Sequence, residues 1–196
     1  GGIAVLYRLV LGKGESFAFS LYDFVSGNLL WILLLIPIFG ILAYLIGKMV
    51  DYNPMISGSG IPQIEGILKG YFLKRKSWFS TLVCKFAGGA MGIAGGLSLG
   101  REGPSIQLGA NVGEAIGNRL GNGRLEKKIL IAGGASAGLA AAFNAPLAGV
   151  MFALEEIFKY FTPVILLSMM SAAVASDFIS KQIFGMQPIF ELPVIQ

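Results

Sequence analysis

Apolar residues run almost unbroken through 28–50 and 163–184, each long enough for the roughly 20 residues that cross a bilayer as helix. The first stretch carries Pro37, which predicts a kink. The remaining apolar runs are shorter and interrupted by glycine, proline or charge. Their pattern predicts the end of a helix over 1–12 and an interfacial loop over 13–27 holding Lys13, Glu15 and Asp23. A glycine-rich bend at 55–62 follows the first long helix, and a short helix from Pro62 to about Tyr71 follows the bend. An apolar helix over 79–99 precedes a helical piece over 104–119. A polar loop over 120–128 then leads to an Ala/Gly-rich helix over 129–143. Asn144 and Pro146 have the form of an N-cap and a first helical turn. The piece after them reaches an acidic pair within about 11 residues, roughly 16 Å of helix, too little to span alone. The expected fold is an all-α, multi-pass membrane protein with broken, tilted and half-spanning helices, a single transmembrane unit over 1–196.

Composition agrees. Hydrophobic residues make up 55% of the chain and charged ones 13%, with a mean hydropathy of +0.72; soluble domains carry about 25% charge. The chain opens on GGIAVLYRLV, with neither basic n-region nor cleavage site, as if entered mid-helix. The net charge of +4 is spread among loops rather than striped with aromatics, which argues against nucleic acid. Lys74 to Lys76, with Lys69, form the clearest single-sign loop and point it toward the cytoplasm. The absence of histidine removes His-based metal sites and catalytic dyads, and Cys84 stands alone in an apolar helix. Neither an enzyme nor a cofactor is indicated.

Gly88, Gly92, Gly96 and Gly100 recur every fourth position, as on a helix face that another backbone approaches closely. Three further places share one grammar, a Gly or Asn bend closed by proline: GSGIP at 58–62, GREGP at 100–104 and FNAP at 143–146. Irregular backbone at membrane depth is tolerated only inside protein or along a polar cavity, so these breaks predict half-helices meeting near the midplane. Proline at the first helical position leaves the free N–H groups at the bend, where partial positive charge suits a dehydrated anion such as a halide. Ser59 adds a hydroxyl donor there.

Glu102, a carboxylate at such a helix start, would occupy the anion's own place when ionised and leave it when protonated. Its plainer role is a cap or a partner of Arg101, although capping is served by Ser, Thr, Asp or Asn at less desolvation cost. Glu155 and Glu156 lie at the far end of a half-helix, where the dipole favours the protonated form and suits a proton relay. The plainer reading pairs one of them with Lys159. Lys85, Arg101 and Asp177 are further charges within apolar helices, and Lys85 reads as a buried electrostatic partner that favours anions.

The three motifs, with AAAFNAPLAGVMFALEE at 140–156, resemble the first half of a CLC chloride channel or chloride/proton antiporter. They stand in that family's order and spacing over essentially the whole chain. The resemblance implies the first of two inverted-topology repeats, and a homodimer with one pathway per subunit in the plasma or inner membrane. It implies that Ser59 and the backbone of Gly60 and Ile61 ligand a central chloride, that Glu102 is the gating glutamate and that Glu156 is the internal proton acceptor. Ser59 favours chloride, and Glu156 favours proton exchange over the alternative, a passive gated chloride channel. The family's second half, with its GxFxP motif and pore tyrosine, is absent from these 196 residues, so the anion site is expected to be incomplete.

Overall fold

A computed structural model describes residues 1–25, 29–71, 76–121, 123–159 and 161–185, which form helices and turns. In order these are α1 (Gly2–Val25), α2 (Leu29–Tyr52), α3 (Ile61–Lys69), α4 (Trp78–Ala94), α5 (Glu102–Leu120), α6 (Arg124–Phe143), α7 (Pro146–Phe152) and α8 (Pro163–Phe184). A 3-10 turn, Pro54–Ile56, lies between α2 and α3, and a π-helical turn, Ala153–Phe158, follows α7. The all-α expectation holds.

α1 does not stop at residue 12. Tyr7, Leu11, Ala18 and Val25 recur on one buried stripe, while Lys13 and Asp23 stay exposed, so the region expected as a loop is helix with these two charges turned outward. α2 and α8 are the two described helices long and apolar enough to cross a membrane. On α2, Leu33, Ile36, Ile38, Ile41 and Tyr44 are all exposed. An apolar face of that extent calls for lipid or another protein surface.

α6 is the centre of the main core. Ala132, Ala135 and Ala140 are fully buried, and Ile64, Ile106, Val150, Ile165 and Met169 pack around them from α3, α5, α7 and α8. Ser176 and Ser180 of α8 donate their hydroxyls to the carbonyls of Ala137 and Ala141 at 2.6 and 3.3 Å, pinning α8 to α6. The tightest approach joins α5 and α6. A β-carbon on Gly109 would strike the carbonyl of Gly134, and one on Gly134 would strike that of Gly109.

This seam, rather than the Gly88–Gly100 ridge, is where glycine brings two helix axes together. α4 ends at Ala94, Gly96 turns the chain at φ +78, and Gly100 lies in the following loop, so four glycines do not share one face. Gly92 does meet Leu99, and Gly89 seats the Tyr7 hydroxyl. Asn144 also departs from expectation. It closes α6 in the left-handed region at φ 53, and Ala145 precedes the first turn of α7. Its side-chain oxygen accepts from Arg8 Nη1 at 3.0 Å and Ser180 Oγ at 2.9 Å, which holds the turn in place. Of the basic loop, Lys74 and Arg75 lie outside the described residues; Lys76 sits over the Tyr52 ring, 4.3 Å from its centroid.

Candidate functional site

Two of the three broken segments meet. GSGIP and GREGP face one another across a cavity of about 460 Å³ lined by Gly58, Ser59, Lys85, Gly100, Glu102 and Pro104 among others. FNAP does not line it. Asn144 is drawn to α1 and α8 instead, so the expected convergence of all three breaks is reduced to two.

Local chemistry makes each wall. Gly60 precedes α3 at φ 95, a left-handed conformation that glycine adopts without strain, and Pro62 then fixes the first helical turn. The N–H of Ile61 points to Ser59 Oγ at 3.3 Å, long for such a bond, so Ser59, Gly60 and Ile61 form one small polar corner. Across the cavity α5 starts at Glu102, and the side chain folds back over Gly100, where a β-carbon would strike Oε2. Gly103 rests directly on Ser59.

Arg101 does not neutralise Glu102. Its Nη2 reaches Glu15 Oε1 of α1 at 2.7 Å, and its backbone carbonyl accepts from Ser105 Oγ at 2.7 Å. Lys85, only 5% exposed, reaches no carboxylate among the described residues. It donates to the carbonyls of Ile56 at 2.9 Å and Gly58 at 2.6 Å, which satisfies two of its three protons and ties α4 to the loop before α3. The expected electrostatic partner is thus a strap on backbone carbonyls.

Three more residues hold that loop; of these the sequence marked only Asn53, and only as part of the end of the first long helix. Asn53 donates to Thr81 Oγ1 at 3.1 Å while its Oδ1 accepts from Met55 N at 3.3 Å. Gln107 of α5, fully buried, donates through Nε2 to the carbonyl of Met55 at 2.6 Å. Thr81 and Gln107 had one signal, polarity within apolar surroundings.

The acidic pair lies elsewhere. Glu155 and Glu156 are exposed on the π-helical turn and are not among the residues lining the cavity. Lys159 closes that turn at φ 57 and reaches Glu65 Oε1 of α3 at 2.8 Å, not Glu155 or Glu156. Glu65 also takes Lys69 at 2.7 Å, and so joins the far ends of two short helices. Asp177, nearly buried in α8, is paired with Lys181 at 2.6 Å.

The family model described as voltage gated chloride channel matches residues 39–196. The chain belongs to the CLC family. It is similar to the H(+)/Cl(-) exchange transporter ClcA of Vibrio cholerae serotype O1, alike in three strains, at 40% identity over 147 residues. That match covers 72% of this CLC chain and 31% of the relative. A solved structure of a slow cyanobacterial Cl-/H+ antiporter is similar at a TM-score of 0.64 and 32% identity, covering 98% of this chain and 48% of that one. The chain therefore spans about a third of the relative's length and about half of the solved structure's, and its fold is that of the CLC proteins.

Proposed function

We propose that this chain is the first half of a membrane-embedded chloride/proton antiporter, completed by a second half and working as a homodimer in a cell membrane. The observation that carries the reading is the cavity where GSGIP meets GREGP, with a carboxylate folded into its wall. The relatives' names, an H(+)/Cl(-) exchange transporter and a Cl-/H+ antiporter, support the two ions.

Chloride binds at the corner made by Ser59 and the backbone of Gly60 and Ile61, displacing the long Ile61-to-Ser59 contact with a better acceptor. The N-terminus of α3 supplies partial positive charge without a formal ion pair, so the anion is held weakly enough to leave. Glu102 competes for the same space when ionised and withdraws when protonated, which makes one carboxylate position serve both ions. Glu156, exposed on its own turn, takes the proton from the cytoplasmic side and passes it through water. Lys85 and Arg101 hold the walls, the first through loop carbonyls and the second through Glu15.

The test is chloride-gradient-driven proton uptake by the complete protein in liposomes, with valinomycin clamping the voltage away from proton equilibrium. Uphill proton movement is expected. Chloride flux without it would make this protein a passive gated channel.

A further inference from the structure

Gln107 is a long polar side chain with none of its surface exposed, on a buried α5 face that is mostly small and apolar, with Ser105 and Asn111 as its other polar residues. Burying an amide costs free energy unless hydrogen bonds replace water. Its Nε2 is met by the carbonyl of Met55, 52 residues earlier, while Oε1 is buried without a partner. The unmet oxygen is not in a random place. A β-carbon on Gly60 would strike Oε1, with Cδ at 2.7 Å and Cβ at 2.9 Å, so the whole amide lies against the residue that turns the chain into α3.

We propose that Gln107 is a positioning residue of the anion site, acting through the loop from Met55 to Gly60. One end of its amide pulls the loop in at Met55, and the other end is the floor on which Gly60 rests. Gln107 also stands one helical turn and a half from Glu102 on the same rigid helix. It therefore sets the separation between the anion's corner on α3 and the carboxylate that competes for it. Lys85 and Asn53 restrain the same loop at Gly58 and Met55, and from α5 Gly103 packs on Ser59 while Gln107 supplies a side-chain hydrogen bond at Met55. The proposal rests on the anion-site reading above.

The experiment is calorimetric titration of chloride into the full-length protein in detergent, for wild type, Gln107→Leu and Gln107→Glu. Leucine keeps the bulk and loses the bond; chloride affinity is expected to fall by about tenfold, the scale on which groups supporting a binding site act. Glutamic acid keeps the shape and, when protonated, the donor. Buried acids titrate as high as about pH 8–9, so its affinity relative to wild type is expected to be within twofold at pH 5 and to fall at least tenfold at pH 9. Merely structural damage would lower the melting temperature without this pH-dependent ratio. Gln107→Leu binding chloride within twofold of wild type would overturn the role of Gln107. Should that variant fail to fold, a Gln107→Glu ratio equal at both pH values would overturn it as well. Absence of chloride binding by the wild type would instead overturn the anion-site reading itself.

Discussion

Gly103 of α5 is pressed onto Ser59 of the loop before α3, so closely that a β-carbon at 103 would lie 2.8 Å from that of Ser59 and 2.9 Å from its Cα. The glycine of GREGP is thus read by GSGIP, and the two motifs form one packed unit despite lying over 40 positions apart. Gly103→Ala is expected to push the serine corner away from Glu102. Overpacking of this kind costs about 1–3 kcal/mol, so a lowered melting temperature and weakened chloride binding should appear together. An unchanged melting temperature with unchanged chloride affinity would mean that the contact is not made.

Glu102 and Glu156 are assigned different parts, so their glutamine variants should differ. Glu102→Gln removes the competing charge and is expected to abolish proton transport while chloride continues to move. Glu156→Gln lies outside the cavity lined by Ser59 and Glu102 and is expected to lose the proton step alone. Paired chloride and proton fluxes in liposomes check both, and normal proton uptake in either variant would remove that residue from the path.

The strap from Arg101 to Glu15 joins α1 to the start of α5, with side chains 29% and 40% exposed. Half-exposed pairs contribute about 0.2–1 kcal/mol, so Glu15→Gln should lower the melting temperature only slightly. A double-mutant cycle with Arg101→Met isolates the pair. The double variant is expected to lose no more than the worse single one. Fully additive losses would show that the two side chains act apart.

These relationships were unequally visible in the sequence. The three proline-closed breaks, the two long apolar helices and Glu102 at a helix start could be read because each is local, set by spacing within a few residues. α1 was misread because Lys13, Glu15 and Asp23 suggested a loop, whereas the packing of Tyr7, Leu11 and Ala18 shows a helix that turns Lys13 and Asp23 outward and brings Glu15 to Arg101 at the α5 start. Asn144 fits either side of a helix boundary, and what decides it is Arg8, 136 positions away. Gln107 carried no periodic signal. Its partner is a backbone carbonyl, to which sequence patterns are blind.

Glu65 provides a test by pH. It lies outside both long apolar helices, and the hydrogen bonds from Lys159 and then Lys69 hold its carboxyl near 2, down from the ordinary 4.5. A depressed folded-state value stabilises the fold fully above the unfolded value, and that stabilisation is lost as pH falls from about 4.5 through about 2. The melting temperature of wild type should therefore exceed that of Glu65→Gln at neutral pH, with the gap closing across this acid window. A gap that persists unchanged at pH 2 would show that the lysines are not its cause.

Gly134 gives the sharpest sign. In an ordinary helix interior, replacing glycine by alanine stabilises by about 0.5–1 kcal/mol, because the unfolded chain loses freedom. At 134 the added methyl would meet the carbonyl of Gly109 and approach the Cα of Gly113 to 3.1 Å, both backbone atoms that only a shift of α5 can move. Since α5 carries Glu102, Gly103 and Gln107 at its other end, such a shift reaches the cavity between Ser59 and Glu102. Gly134→Ala is expected to lower the melting temperature and weaken chloride binding, while Gly12→Ala, where nothing lies within 4 Å of the new methyl, is expected to be neutral or stabilising. Equal effects of the two substitutions would mean that helix propensity, and not the α5–α6 seam, decides what glycine does in this chain.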